Sequence, residues 1–224
     1  MLVLVVDDDP VARMTHLAML SRRAELTAVG AESVEEARAL IAGTPPAVAI
    51  AVAIIDLQLP DGSGLEIMSM LDQRAPTSLV IVVSAHLEAE KQSLPRNPRL
   101  HRIGKPPQLR QLMQIVGSAP LPAEVAVPFS LSDYVQLAAL GHSSAVLVCS
   151  GGGAGGEVHL VEGQPWSAQD ELGSGAMAFR RLFTSPGSRV LVRPESAARP
   201  PRNLTQPWER LLGDALAGSD AAER

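Results

Sequence analysis

Residues 1–10 read MLVLVVDDDP, so an apolar run leads directly into three carboxylates at Asp7, Asp8 and Asp9. Two like unit charges about 4 Å apart repel each other by about 4 kcal/mol at an effective dielectric of about 20. An apolar run without polar alternation is typical of a parallel strand that is covered on both faces. The stretch therefore predicts a buried strand whose end is crowded with negative charge, and this charge needs a cationic partner.

Further apolar runs follow the first one at intervals as far as about residue 118. They indicate five strands, which we place at 2–6, 25–29, 48–55, 79–84 and 100–103. The intervening stretches indicate five helices: one that begins at Pro10 after a cap at Asp9, one that begins with a capping box over 33–36, and others near 65–74, 88–94 and 108–116. This alternation predicts an α/β fold with an open, doubly wound sheet for residues 1–118.

The pattern changes after a segment rich in proline and alanine, which we assign as a linker over 119–128. Residues 129–224 mix helical and strand-like stretches without an internal repeat, which predicts a smaller α+β domain. Its helices are expected at 131–140 (capped by Ser132), 175–183 and 206–218, and its strands at 144–150, 157–163 and 188–194.

A glycine-rich stretch in this second half fits the spacing G-x-G-x-x-G through Gly151, Gly153 and Gly156. A dinucleotide site also needs a helix directly after the glycines, whose N-terminus faces the pyrophosphate. An alternating, strand-like stretch follows here instead. We therefore interpret the glycines as a hairpin loop.

Composition excludes several other classes of protein. The 224 residues carry a net charge of −5 without a cluster of Lys and Arg, which argues against nucleic acid as a partner. Cys149 is the only cysteine, so no intrachain disulfide can form, as is usual in a reducing compartment. The sequence shows no signal peptide, and its longest apolar run, 47–55, is too short to cross a bilayer. We expect a soluble, cytoplasmic protein without membrane insertion.

Chemically active residues follow the predicted parallel strands, where ligands bind in sheets of this kind. Asp7 and Asp8 follow the first strand, Asp56 the third, Ser84 the fourth and Lys105 the fifth. Crowded carboxylates suit a hard cation, and Mg²⁺ prefers such oxygen ligands. Asp56 could then act as a nucleophile that accepts a phosphoryl group, whose oxygens Lys105 and Ser84 would hold.

The segments VVDDD, IIDLQLPDGSGLE, VVSAH and GKPP, in this order and spacing, resemble the receiver domain of two-component response regulators. The resemblance implies a flavodoxin-like (βα)₅ fold and a histidine kinase partner that phosphorylates Asp56. It implies Mg²⁺ held directly by Asp8, Asp56 and the Gln58 backbone carbonyl, and through water by Asp7. It also implies a cis peptide bond before Pro106. It further implies that the protein is not an enzyme, and that its chemistry is limited to its own phosphorylation and dephosphorylation.

One position departs from the receiver pattern. The family commonly has an aromatic residue three positions before the lysine, where this chain has Arg102. We hypothesise that the signal travels instead through Ser84 and the helix at 88–94, with Arg102 exchanging surface partners. Gln58 and His86 occupy positions that tune dephosphorylation in the family. A homodimer through the fourth and fifth receiver helices is a further expectation.

The second half resembles the PATAN-type domain, which occurs at the start of the cyanobacterial patterning protein PatA and beside receivers in other bacteria. The matching segments are SLSDYVQLAAL, HLVEGQPWSAQ, GSGAMAFRRLF and RNLTQPWERLLGDAL, with Gly163, Ala168, Gly175 and Ala176 at the pattern's small-residue positions. The resemblance implies output through a protein partner of residues 129–224, in some cases surface-motility or cell-polarity machinery.

Three functions follow from these patterns. The favoured one is a response regulator with an output that binds protein rather than DNA. The alternative is a scaffold that uses the receiver as a docking module and is never phosphorylated. A transcription regulator is disfavoured by the acidic second half.

Overall fold

The computed structural model of the chain describes residues 1–45, 48–84, 97–118, 128–153, 155–195 and 199–219, with backbone alone at Ser84 and at 217–219. The chain divides into two compact units, Met1–Pro128 and Phe129–Arg224. The predicted linker lies, apart from Pro128, outside the described residues.

The first unit contains a five-stranded parallel sheet. Its strands are β1 (Leu2–Val6), β2 (Thr27–Ala31), β3 (Ile50–Asp56), β6 (Leu79–Ser84) and β7 (Leu100–Gly104). Their order across the sheet is β2-β1-β3-β6-β7, and each neighbouring pair is parallel. This is the flavodoxin-like order, so the predicted fold class is confirmed. A short hairpin that the sequence patterns did not predict, β4 (Gln58–Leu59) with β5 (Gly62–Ser63), follows β3.

Four described helices accompany this sheet. They are α1 (Pro10–Leu20), α2 (Val34–Gly43), α3 (Gly64–Arg74) and α4 (Leu109–Gly117). Consecutive residues of β1 from Val3 to Val6 are at most 1% exposed, so both faces of the strand are covered. The apolar runs lack alternation for this reason. The predicted helix at 88–94 lies outside the described residues.

Polar side chains set the helix starts. Asp9 caps α1 by accepting a hydrogen bond from the Val11 amide at 2.8 Å, as predicted. Ser33 caps α2 by accepting from the Glu36 amide at 3.2 Å. The predicted capping box is wrong in one of its two hydrogen bonds. The Glu36 carboxylate accepts from the Glu32 amide, not from the Ser33 amide that a capping box requires.

In its described residues, the second unit has a five-stranded antiparallel sheet and three helices, which confirms the smaller α+β region. Its elements are α5 (Leu131–Leu140), β8 (Ala145–Ser150), β9 (Gly156–Val161), β10 (Gln164–Asp170), β11 (Gly173–Ser174), α6 (Ala176–Thr184), β12 (Arg189–Arg193) and α7 (Trp208–Ser219). The sheet order is β11-β10-β9-β8-β12. Helices α5 and α6 pack on the sheet, and α7 packs on both helices.

Three details of this unit bear on the sequence predictions. Ser132 was predicted to cap α5, but Ser130 does so, in a capping box with Asp133. Ser132 lies inside the helix, where its hydroxyl accepts a hydrogen bond from Gln136. The stretch after Gly151 leads into β9, which pairs antiparallel with β8, so the hairpin interpretation is confirmed.

Within the described ranges, no helix combines the length and the apolar character needed to cross a membrane.

Candidate functional site

Three carboxylates meet at the carboxyl edge of the parallel sheet. Asp7 and Asp8 directly follow β1, and Asp56 is the last residue of the adjacent strand β3. Each contributes a carboxylate oxygen to a group whose atoms all lie within 4.8 Å of one another. Asp7 is 2% exposed and Asp56 is 6% exposed, whereas Asp8 is open to solvent. The predicted acidic cluster therefore forms, and it opens on one side.

Lys105 follows β7 and brings a positive charge to this cluster. Its ammonium donates a hydrogen bond to Oδ2 of Asp56 and lies 3.6 Å from Oδ1 of Asp7. The other carboxylate oxygen of Asp56 accepts from the Gln58 amide at 3.1 Å. The bond between Lys105 and Pro106 is cis, as the resemblance implied. Both oxygens of Asp56 are therefore held by neighbouring residues.

The charges in the pocket do not balance within the described residues. Burial raises the pKa of the Asp7 carboxyl, and the charge of Lys105 offsets only part of this effect. Burial also acts to lower the pKa of the Lys105 ammonium, but the hydrogen bond and charge of Asp56 outweigh it, and the pKa is raised. In the described contacts, one ammonium thus faces three carboxylates. This excess of negative oxygen donors fits a hard divalent cation such as Mg²⁺.

Two of the remaining predicted residues, Ser84 and Gln58, also lie at this edge of the sheet. Ser84 ends β6, and its backbone pairs with Gly104, the residue immediately before Lys105. The structure describes only the backbone of Ser84. Gln58 begins the short hairpin after Asp56. Arg102 lies in β7, half-buried, opposite Val82 in the sheet register. His86 lies outside the described residues.

Two residues that contact the backbone of the cluster, Gly64 and Arg13, were not predicted from the sequence. Gly64 opens α3 so close to β3 that an added Cβ would lie 2.3 Å from the Asp56 carbonyl oxygen. Arg13, one turn into α1, donates hydrogen bonds to the backbone carbonyls of Asp7 and Asp8. The glycines of the segment DGSG could have indicated the close packing at Gly64, whereas nothing in the sequence pattern indicated the contacts of Arg13.

A flavodoxin-like sheet that carries an acidic pocket and a lysine at its carboxyl edge defines the receiver class of signalling domain. Residues 3–116 match the family model described as the response regulator receiver domain, and the chain belongs to this family. It is thereby placed among the proteins of two-component signalling.

Known relatives share the receiver region with this chain. The response regulator protein PilR of Pseudomonas aeruginosa is 33% identical over 118 residues, which are 52% of this chain and 25% of PilR. The photosynthetic apparatus regulatory protein RegA of Cereibacter sphaeroides is 35% identical over 85 residues, 38% of this chain and 43% of RegA. The matches thus span well under two thirds of these relatives. Among solved structures, the receiver domain of the hybrid histidine kinase CckA is 20% identical and covers 53% of this chain and 98% of its own, with a TM-score of 0.43.

Proposed function

We propose that the chain is a response regulator that a histidine kinase phosphorylates on Asp56 in the presence of Mg²⁺. The observation that carries this proposal is the meeting of the Asp7, Asp8 and Asp56 carboxylates with the Lys105 ammonium at one sheet edge. Asp7, Asp8, Asp56 and the Gln58 carbonyl would hold the ion. When bound, Mg²⁺ supplies positive charge that neutralises phosphoryl oxygens.

The proposed transfer uses Asp56 as the nucleophile. A carboxylate oxygen of Asp56 forms a bond to phosphorus, the phosphorus–nitrogen bond of the kinase phosphohistidine breaks, and the imidazole nitrogen keeps the electron pair. The Gln58 amide, 3.1 Å from Oδ1, helps to orient the carboxylate for this attack. Lys105 would then pair with a phosphoryl oxygen in place of Oδ2, and the resemblance to receiver domains implies that Ser84 binds another.

Intact mass spectrometry tests this proposal. The full chain is incubated with acetyl phosphate and Mg²⁺, with EDTA and the variant Asp56→Asn as controls. We expect one phosphoryl group on the wild type and none in either control. Absence of the group from the wild type would contradict the proposal and favour a scaffold that works without phosphorylation. Its persistence in Asp56→Asn would also contradict it, since another residue would then be the acceptor.

We further propose that residues 129–224 form a PATAN-like output domain that acts by binding a protein. Support comes from the positions of the motif glycines. Gly163 makes the turn between β9 and β10 with a φ of 78°, and an added Cβ there would lie 2.7 Å from the Ala138 carbonyl oxygen. Gly175 precedes α6 with a φ of 79°. Both positions favour glycine over any residue with a side chain.

Ala168, at a small-residue position of the PATAN pattern, lies in an environment that suits a small side chain. Ala168 is fully buried in β10, and its amide and carbonyl both bond the Asn203 side chain, at 3.0 and 3.2 Å. Asn203 itself belongs to the motif segment RNLTQPWERLLGDAL, so two separate motif segments are joined at this point. The motif residues thus have roles within one folded unit.

The output is tested with the full chain treated with beryllofluoride, a phosphoryl analogue. We expect it to retain a specific protein from a lysate of its source organism more strongly than Asp56→Asn does, and not to bind DNA at low salt. Retention of DNA would contradict a protein-binding output, and equal protein capture by both forms would contradict control by phosphorylation.

A further inference from the structure

Arg13 bridges the loop of the acidic cluster to the end of β2. Its Nη1 donates to the Asp7 carbonyl oxygen at 2.6 Å and to the Asp8 carbonyl oxygen at 3.3 Å. Its Nη2 donates to the Glu32 carboxylate at 3.1 Å. The Arg13 side chain is 16% exposed, whereas that of Glu32 is 66% exposed. We call this set of contacts the Arg13 bridge.

The local sequence makes room for the bridge. Gly30 in β2 has an ordinary φ, so its backbone does not require glycine. An added Cβ there would lie 3.4 Å from Cγ and Cδ of Arg13 and 2.9 Å from Cδ1 of Leu17. The missing side chain of Gly30 thus leaves space for the aliphatic stem of Arg13 between α1 and β2.

The bridge acts on the backbone from which two proposed metal ligands project. The Asp7 amide is already fixed by the Ala31 carbonyl at 3.2 Å, and the Asp7 carboxylate accepts from the Asp9 amide at 3.1 Å. Arg13 adds contacts to the Asp7 and Asp8 carbonyls. Because a rotation of either peptide plane redirects the attached carboxylates, holding the carbonyls preserves the geometry of the cluster.

The charge of the bridge also suits a cation site. An uncompensated guanidinium beside the cluster would repel an incoming divalent ion. The carboxylate of Glu32 accepts from the same guanidinium and offsets its charge. Arg13 can therefore orient the loop with a reduced electrostatic penalty for the ion.

We propose that Arg13 is a positioning residue for Mg²⁺ binding and hence for phosphorylation of Asp56, an inference that rests on the proposed function. Groups that hold metal ligands in place typically contribute 10- to 100-fold to metal affinity. Asp8 is exposed, and Arg13 contacts the backbone of Asp7 and Asp8 rather than their carboxylates, so we expect the lower end of this range, about tenfold.

The test compares Arg13→Met, Arg13→Lys and Arg23→Met in the full chain. Methionine keeps an unbranched stem without donors, and lysine keeps the charge without the forked geometry. Arg23 forms an exposed pair with Glu25 in the same unit and serves as the matched control. The Mg²⁺ dissociation constant is measured by calorimetry with the metal alone, and the phosphorylation rate is measured against Mg²⁺ concentration with acetyl phosphate.

For Arg13→Met we expect about a tenfold rise in the dissociation constant and in the half-saturating Mg²⁺ concentration, with a smaller change in the maximal rate. Arg13→Lys should be intermediate, and Arg23→Met unchanged. A lower melting temperature in EDTA together with an unchanged dissociation constant would show a purely structural role and overturn the proposal. If Arg13→Met does not fold, Arg13→Lys decides, since an unchanged constant there overturns the proposal as well.

The result also separates this inference from the function on which it rests. A wild type that binds Mg²⁺ and is phosphorylated, beside an Arg13→Met variant that behaves identically, contradicts the inference alone. A wild type that binds no Mg²⁺ contradicts the proposed function and the inference with it.

Discussion

Replacement of Gly64 by alanine tests how closely the start of α3 is packed against Asp56. An added Cβ would lie 2.3 Å from the Asp56 carbonyl oxygen and 2.7 Å from Cγ2 of Ile55, whereas ordinary contact begins at 3.4 Å. The helix start must therefore move by about 1 Å. Overpacking of this kind typically costs 1–3 kcal/mol. We expect about 3 kcal/mol, because the closest atom belongs to the backbone of β3, which is paired on both sides.

The assay is urea unfolding of Gly64→Ala beside Gly43→Ala. Gly43 ends α2 in the same unit, and an added Cβ meets nothing within 4 Å there, so this variant should be neutral or up to about 1 kcal/mol more stable. For Gly64→Ala we also expect slower phosphorylation and weaker Mg²⁺ binding, since the carbonyl that the Cβ displaces belongs to Asp56. Equal stability of the two variants, with equal phosphorylation, would refute the reasoning.

Three further predictions concern other parts of the molecule. Asp61 accepts hydrogen bonds from the Val34 and Glu35 amides at the start of α2, so Asp61→Ala should destabilise the first unit by about 1 kcal/mol in urea unfolding at pH 7. Burial acts to raise the pKa of the Asp61 carboxyl, but the hydrogen bonds from these amides outweigh it and hold the pKa below the ordinary value of 3.8. The stabilisation is therefore present above pH 3.8 and is lost as the pH falls through the pKa of the folded state. A loss of stability already seen near pH 6 would contradict this. Burial raises the pKa of the Cys149 thiol to about 12, so a thiol reagent at pH 8 should label the native chain far more slowly than the chain in urea, and equal rates would contradict the packing of the second unit. Arg99→Met should destabilise the first unit by about 3 kcal/mol in urea unfolding, because the Asp72 carboxylate, 13% exposed, loses the buried guanidinium that pairs with it. An effect as small as that of the exposed Arg23→Met would contradict this reasoning.

The sequence predicted the receiver sheet and the acidic cluster because both depend on local patterns. Continuous apolar runs are the consequence of strands buried on both faces, as in β1 and β3. Once the strands are parallel and neighbouring, residues directly after them must meet at one edge. The sequence therefore predicted that Asp7, Asp56 and Lys105 lie close together, although they are far apart in the chain.

Features that depend on contacts between distant segments could not be predicted in this way. The strand β10 was missed because Pro165 lies in it, beside a register shift, and neither proline nor a bulge fits an alternating strand pattern. The contact of Gly64 with β3 and the path of Arg13 past Gly30 depend on how α3 and α1 pack on the sheet. The amino-acid pattern of one segment carries no information on the atom that it meets in another.

The most direct test of the central claim identifies the carboxylate that takes up phosphate. The full chain is phosphorylated with acetyl phosphate and Mg²⁺ and reduced with borohydride, which converts an aspartyl phosphate to homoserine, and the modified position is read by peptide mass spectrometry. We predict homoserine at position 56 alone, and none when Mg²⁺ is removed with EDTA. Homoserine at Asp8 or elsewhere, or its absence with Mg²⁺ present, would contradict the account.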